Sequence, residues 1–313
     1  MPFDKHFRIL NENKTITIVG EILIDEISDE ETQETYQLFG GSSANIAVNC
    51  TQIGIHSAFF GTVGNDKFGS FLINTLLHEH VDNNITVLPF PTSIVYLNKN
   101  QLSPLPYFSR SVDYRIEFSD VLRIKILSSK ILHFSFWPLS KEPGRDTILK
   151  AIDFAIQNKV SIGFDPNYHP LLDDENQSGL EIIKKVMKKV DIIKPSLDDS
   201  KRIFGKECSP EEYLDLYEQL GAKLIIITLG ERGLIARYEH ETITLPSYAT
   251  KIVDSTGAGD AFWSGLYAGI SNNETIFDSI RLGLVVSSLN LQVIGANCNL
   301  PRYEELKKLL NAR

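Results

Sequence analysis

Lys251-Ile252-Val253-Asp254-Ser255-Thr256-Gly257-Ala258-Gly259-Asp260-Ala261-Phe262 reads as an apolar strand end, a loop of small residues and the start of a helix. A helix N-terminus leaves its first amides without intrahelical partners and carries a partial positive charge. With Gly257, Ala258 and Gly259 in that place, no bulky side chain screens those N–H groups, so the loop can form an anion hole. Asp260, in the first helical turn, puts a carboxylate beside it. In phosphoryl transfer the protein mostly positions groups and neutralises charge, and a carboxylate that takes the proton of an attacking hydroxyl suffices as base. Taken singly, Asp254 or Asp260 would be a helix cap and the glycines a tight turn. The chain, however, holds no G-x-x-x-x-G-K-[ST], no G-x-G-x-x-G and no protein-kinase signature, which leaves this loop as its strong phosphate candidate.

Upstream of that loop, short apolar runs alternate with helix-forming stretches, the pattern of βαβ units and a mostly parallel sheet covered on both faces. Strands are expected at Thr15 to Gly20, Ala58 to Val63, Lys130 to Phe136, Val160 to Asp165, Asp191 to Ile193 and Leu224 to Thr228. Helices are expected at Ser43 to Ile53, Phe68 to Glu79, Pro143 to Lys159, Gly179 to Val190 and Pro210 to Leu220. Two segments, about 25–39 and 92–116, break the rhythm with polar residues among β-formers, and are expected as strands outside the main sheet, a small β-flap. No internal repeat or flexible linker divides the 313 residues, so one α/β domain is expected.

Composition narrows the function classes. A formal charge of −9 opposes nucleic-acid binding, which selects basic surfaces. The densest basic run, Lys184 to Lys189, alternates with Ile182, Ile183, Val186, Met187 and Val190, as on a helix with one solvated face. Cys50, Cys208 and Cys298 are far apart and suggest neither a disulfide framework nor a thiolate zinc site. No stretch reaches the length of a membrane span, and residues 1–10 lack the apolar region of a signal peptide, so a cytoplasmic protein without a membrane partner is the expectation.

The phosphate loop resembles the C-terminal signature of the ribokinase (PfkB) carbohydrate kinases, D-T-x-G-A-G-D followed by a helix, with Ser255 at the first Thr position. The family's N-terminal signature is matched by Gly40-Gly41-Ser42-Ser43-Ala44-Asn45-Ile46-Ala47 and then by Gly61-Thr62-Val63-Gly64-Asn65-Asp66-Lys67-Phe68-Gly69. Two long signatures, far apart and in the family's order, carry a resemblance that covers essentially the whole chain and implies a ribokinase-like fold with a β-flap lid and an ATP-dependent sugar kinase with Asp260 as base.

The resemblance also assigns the other contacts. Gly20-Glu21-Ile22-Leu23-Ile24-Asp25 is similar to the G-E-x-L-x-D of fructokinase-like members and makes Asp25 a sugar ligand at the end of the first strand; Gly40, Gly41 and Asn45 join it. Asp165-Pro166-Asn167-Tyr168-His169 resembles the D-P-N-x-R of fructokinases and 2-keto-3-deoxygluconate kinases, with Asn167 at the substrate and His169 replacing Arg. Lys194-Pro195-Ser196-Leu197-Asp198-Asp199 stands where the family has N-x-x-E, so Lys194 and Asp199 are expected near ATP and magnesium. Thr228-Leu229-Gly230-Glu231-Arg232-Gly233 resembles the T-x-G-x-x-G nucleotide loop, with Thr228, Gly230 and Gly233 at the nucleotide. Asp254 and Thr256, with carbonyls from Gly295-Ala296-Asn297, are expected to hold a monovalent cation such as potassium. Fructose is the first substrate expected. 2-Keto-3-deoxygluconate, favoured by Arg110 and Arg115 and disfavoured by His169, is the alternative, a nucleoside is third, and a catalytically silent sugar-binding regulatory protein is the reading from another class. Flap strands with exposed edges suggest a homodimer through the lid.

Overall fold

The computed structural model describes residues 1–7, 15–29, 32–98, 107–173, 179–296 and 298–312. In chain order its strands are β1 (Thr15–Val19), β2 (Leu23–Asp29), β3 (Glu34–Gly40), β4 (Ser57–Gly64), β5 (Asp82–Leu88), β6 (Ile94–Asn98), β7 (Tyr107–Ser109), β8 (Ser129–Ser135), β9 (Ser161–Asp165), β10 (Ile192–Ile193), β11 (Leu224–Thr228), β12 (Leu234–Tyr238) and β13 (Glu241–Leu245). The helices are α1 (Ser42–Ile53), α2 (Lys67–His78), α3 (Asp120–Leu127), α4 (Phe136–Leu139), α5 (Gly144–Gln157), α6 (Gly179–Met187), α7 (Leu197–Phe204), α8 (Pro210–Gln219), α9 (Ala258–Ser271), α10 (Ile276–Asn290) and α11 (Tyr303–Asn311).

Nine strands form the main sheet in the order β13-β12-β11-β10-β9-β8-β1-β4-β5. The seven from β11 to β5 run parallel, and an antiparallel hairpin, β12 and β13, finishes one edge. Both faces of the central strands are covered, which is why they read as unbroken apolar runs. Alternate residues feed two cores: Ile16, Ile18, Leu224 and Ile226 pack with α1, α9 and α10 on one face, and Val19, Phe134, Ile225 and Ile227 pack with α5, α6 and α8 on the other.

The elements beyond those expected have sequences that hide them. β5 is a polar edge strand, Asp82-Asn83-Asn84-Ile85-Thr86-Val87-Leu88, half open to solvent. The β12–β13 turn is made by Glu239 and His240, both at positive φ, in place of the Asn-Gly that marks such turns. α10 is buried nearly all round and so carries no amphipathic period. Lys251 to Val253, expected to end a strand, lie outside regular structure, with Ile252 and Val253 exposed.

β2 and β3, from the first irregular segment, and β6 and β7, from the second, pair in a separate sheet of order β3-β2-β6-β7. Residues 99–106 of the second segment, with Pro104 and Pro106, lie outside the described residues. One expectation is corrected here. β1 ends at Val19, so the carboxylate just past the first strand is Glu21; Asp25 belongs to β2 and reaches the site from the second sheet.

Candidate active site

The carboxyl ends of the parallel strands lead directly into the residues that matter: Glu21 after β1, Trp137 after β8, Asn167 after β9, Lys194 after β10 and Leu229 after β11. Together with Leu23, Asp25, Val95 and Leu97 from β2 and β6, they line a cavity of about 840 Å³. A cleft of about 830 Å³ at the opposite end of the sheet gathers lysines from loops, Lys188 and Lys189 of the basic run among them, and carries none of the expected catalytic or binding residues.

Gly41, Asn45, Asn167, Lys194, Asp199, Thr228, Gly230, Thr256, Gly257, Gly259, Asp260 and Asp25 all line the first cavity. Gly40, Gly233, Asp254 and Ala258 do not. Gly40 stands behind Asp25, where a Cβ would fall 2.3 Å from its Oδ2. Gly233 opens β12 against the Leu245 carbonyl. The Ala258 amide, expected in the anion hole, instead donates to the Ser255 carbonyl at 3.2 Å. Gly257 and Gly259 line the cavity at the start of α9, with Gly257 pressed so close to Ala296 that a Cβ would fall 2.4 Å from that residue's own Cβ.

Asp260 sits half-buried at the junction of α9 and α1. Ser42 Oγ donates to its Oδ1 at 2.6 Å and Asn45 Nδ2 to its Oδ2 at 2.9 Å. Burial pushes its carboxyl up to about 6 against the lowering effect of those two bonds, with Asp165 adding to the rise and Lys194 opposing it. Asn45 Oδ1 is buried with no partner. Glu21 accepts from Ser135 Oγ at 2.8 Å and Ser43 Oγ at 3.1 Å, and burial raises its carboxyl to about 7. Asp25 is raised to about 7 as well, by burial and then by the Asp260 and Glu21 carboxylates. Three acidic groups thus converge on one end of the cavity.

The other end is arranged differently. Lys194, 4% exposed, places Nζ 3.2 Å from Asp165 Oδ2, and a Cβ on Gly259 would lie 3.3 Å from the same nitrogen. Ser196 N and Oγ donate to Asp199 Oδ2 at 2.9 and 2.6 Å, closing a capping box at the start of α7; its Oδ1 lies 3.7 Å from Arg202. Burial raises the Asp199 carboxyl. Asp254 ties two loops together, accepting from Thr256 N and Oγ1 at 2.9 and 2.8 Å and from Gly295 N at 2.8 Å. Burial alone would raise its carboxyl, but these bonds outweigh it and hold the group below its ordinary value. Asn297 lies outside the described residues.

The arginines of the keto-acid alternative are committed elsewhere. Arg110 donates through Nε to the fully buried Asp113 at 2.8 Å and through NH1 to Ser140 Oγ at 2.6 Å; Arg115 donates to the Ser111 carbonyl and stacks on Phe90. His169 accepts from Leu171 N and meets Phe108 edge-on, outside the cavity wall. Sequence reasoning missed Glu21, Ser42, Trp137 and Arg202 as wall residues. Glu21 and Ser42 lie within the Gly20 to Asp25 and Gly40 to Ala47 motifs, and only the fold turns their side chains inward. No helix among the described residues is long and apolar enough to cross a membrane.

Residues 13–302 match the pfkB family carbohydrate kinase profile. The chain is 42% identical to the ATP-dependent 6-phosphofructokinase of Thermoanaerobacterium thermosaccharolyticum over 99% of either chain. It superposes on the fructokinase of Halothermothrix orenii with a TM-score of 0.77 at 37% identity, covering 86% of this chain and 97% of that one. The Vibrio cholerae fructokinase solved with fructose, ADP and a calcium ion gives a TM-score of 0.85 at 27% identity, covering 96% of this chain and 100% of that one. The family match across residues 13–302, the fold and these relatives make the chain a member of the pfkB family of carbohydrate kinases, an ATP-dependent sugar kinase.

Proposed function

We propose that the protein phosphorylates a neutral ketose, with fructose the first choice, and that Asp260 is the base. The observation that carries this reading is the sugar end of the cavity, where Glu21, Asp25, Asp260 and the unpartnered Asn45 Oδ1 offer acceptors for hydroxyl groups. The cations lining the cavity among the described residues are Lys194 and Arg202, and Lys194 is paired with Asp165. A carboxylate or phosphate on the sugar would enter a field of like charge.

In the reaction, a sugar hydroxyl oxygen bonds to the γ-phosphorus of ATP, the bond from that phosphorus to the β-bridging oxygen breaks, and ADP leaves. The hydroxyl proton passes to the Asp260 carboxylate. A group raised to about 6 is ionised at neutral pH and more basic than an ordinary carboxylate, which suits that task. Gly257 and Gly259 receive the transferring phosphoryl group, Thr228 and Gly230 border the nucleotide, and Asn167 closes the sugar side. β2 and β6 act as a lid over the sugar.

Among the described residues no cluster of three or more acidic, histidine or cysteine side chains is placed to hold a metal ion by itself, Glu21, Asp25 and Asp260 included. Asp199 Oδ1 fits as a contact to magnesium carried in on the ATP phosphates, where the ion would neutralise charge. Asp254, Thr256 and the carbonyls of the Gly295 loop are all oxygen ligands, which suits potassium.

One relative favours a second reading. The 42% identical 6-phosphofructokinase acts, by its name, on a sugar that already bears a phosphate. Arg202, 40% exposed at the cavity wall, is the group that would meet such a phosphate. ADP release measured with fructose, fructose 6-phosphate, 2-keto-3-deoxygluconate and a nucleoside separates the readings. The highest kcat/KM is expected with fructose, and a clear preference for fructose 6-phosphate replaces it. Among the described residues the outer strands of the second sheet, β3 and β7, have no further strand paired to them, and we place a two-fold dimer contact there. Light scattering that reports only the 35.2 kDa monomer at micromolar concentration rejects that contact.

A further inference from the structure

α9 carries more than the anion hole and the base. Gly259 and Trp263 are four residues apart, so they lie one above the other on the same helical face, and Tyr267 continues that face one turn on. Trp263 is fully buried, and its indole Nε1 donates to Asp165 Oδ2 at 2.7 Å. The same oxygen holds Lys194 Nζ at 3.2 Å, and the ammonium lies 5.7 Å from the centre of the Trp263 ring. The other oxygen of Asp165 accepts from Asn167 N at 3.1 Å. A carboxylate gripped at both oxygens by N–H groups has a fixed orientation, and it transmits that orientation to the lysine.

Behind the indole the packing leaves little room for movement. His133 meets Trp263 edge-on at 4.9 Å and exchanges a hydrogen bond of 2.7 Å with Tyr267 Oη, and a Cβ on Gly163 would lie 2.0 Å from that Oη. Burial, and then the Lys194 charge, push His133 down to about 3, so it is neutral and supplies shape without a second positive charge. A free lysine stem has several rotatable bonds, and ordering it costs entropy when a ligand arrives. Here that ordering is built into the fold, and the ammonium rests against the Cα side of Gly259, where a side chain would crowd it.

We propose that Trp263 is a positioning residue for phosphoryl transfer: through Asp165 it holds the Lys194 ammonium at the anion hole, ready to meet the phosphates of ATP. The helix that presents the hole thus also places the cation that serves it. The inference rests on the kinase reading and is independent of which sugar is the acceptor. Trp263 touches neither substrate nor the reacting atoms in this arrangement, and its whole effect passes through Lys194.

That last property is what the test uses. Trp263→Phe keeps an aromatic ring and removes the N–H donor. It is expected to lower kcat/KM for ATP roughly tenfold to a hundredfold, the worth of a hydrogen bond to a charged group, and to leave KM for the sugar unchanged. Combined with Lys194→Met, it should cost nothing further, because the lysine it positions is gone. Asp165→Asn, nearly the same shape without the charge, is the second arm; it should show the same ATP-side loss and the same silence in the Lys194→Met background. Wild-type turnover with the preferred sugar is measured alongside, so failure of the substrate assignment is seen separately. A folded Trp263→Phe protein with normal kcat/KM for ATP overturns the proposal. Additive losses in the double variants overturn it as well, and if Trp263→Phe does not fold, the Asp165→Asn cycle decides alone.

Discussion

The two ends of the cavity treat their carboxylates in opposite ways. At the sugar end Glu21, Asp25 and Asp260 line the same wall, and all three are raised first by burial, with the Asp260 charge adding to the rise of Glu21 and Asp25 and the Asp165 charge to that of Asp260. Asp25 makes no hydrogen bond to the protein among those described, and Asn45 leaves one oxygen unpartnered. At the phosphate end Asp254 is held below its ordinary value by three loop donors, and Asp165 is satisfied by Asn167, Trp263 and Lys194. One end is finished before any ligand arrives. The other end lacks the donors that sugar hydroxyls would bring, and buried acceptors without donors are costly. Under the proposed function the contrast separates two tasks: geometry is fixed where the phosphoryl group would travel, and affinity is left open where the sugar would be recognised.

The largest break in this contrast comes from the residue that joins the two ends. Asp260→Asn keeps the shape and the Ser42 contact, removes the base, and is expected to lower kcat roughly 10²–10⁴-fold while ATP still binds. Near-normal turnover would remove Asp260 from the mechanism. Next is the sugar end proper. Asp25→Ala should lower kcat/KM for the sugar roughly a hundredfold, because hydroxyl groups in a closed site lose their acceptor. Arg110→Ala should cost less turnover and more stability, since it leaves Asp113 buried without its cation. Turnover damaged more by Arg110→Ala than by Asp25→Ala points to a charged substrate.

Smaller effects sharpen the same contrast through pH. As a base Asp260 must be ionised, so kcat/KM should fall as pH drops through about 6; a profile flat through that value contradicts the assignment. Stability should move the other way in the ligand-free protein. Glu21 and Asp25 titrate in the folded state near 7, above the ordinary carboxyl value of about 4, so the folded state holds protons that the unfolded chain has given up. Their contribution favours the folded state at low pH and is lost as pH rises through about 7. Asp25→Asn removes part of that loss, and its melting temperature at pH 7 without sugar should exceed that of the wild type. A lower melting temperature would argue that Asp25 is held by partners after all.

Much of this was legible in the chain itself. The two glycine-rich signatures gave the family, and apolar runs such as Leu224 to Thr228 marked the parallel strands because both their faces are buried. Where exposure or unusual backbone intervened, the pattern was lost, as at polar β5 and at the Glu239-His240 turn. Residue types pointed to Asp260 and Asn45, whereas the pairing of Ser42 with Asp260 across more than two hundred residues exists only in the fold. Local reading also placed Asp25 at the end of β1 and the Ala258 amide in the hole, since a sequence does not say where a chain leaves its sheet or which amide turns back.

The direct test of the account is a competition in a single reaction: wild-type protein, ATP and magnesium with equal fructose and fructose 6-phosphate, the phosphorylated products separated and counted. A sugar end built from Glu21, Asp25 and Asp260 predicts that fructose is consumed first and that fructose 6-phosphate survives. Preferential formation of a bisphosphate contradicts it, and would assign the sugar end to a substrate that carries its own negative charge.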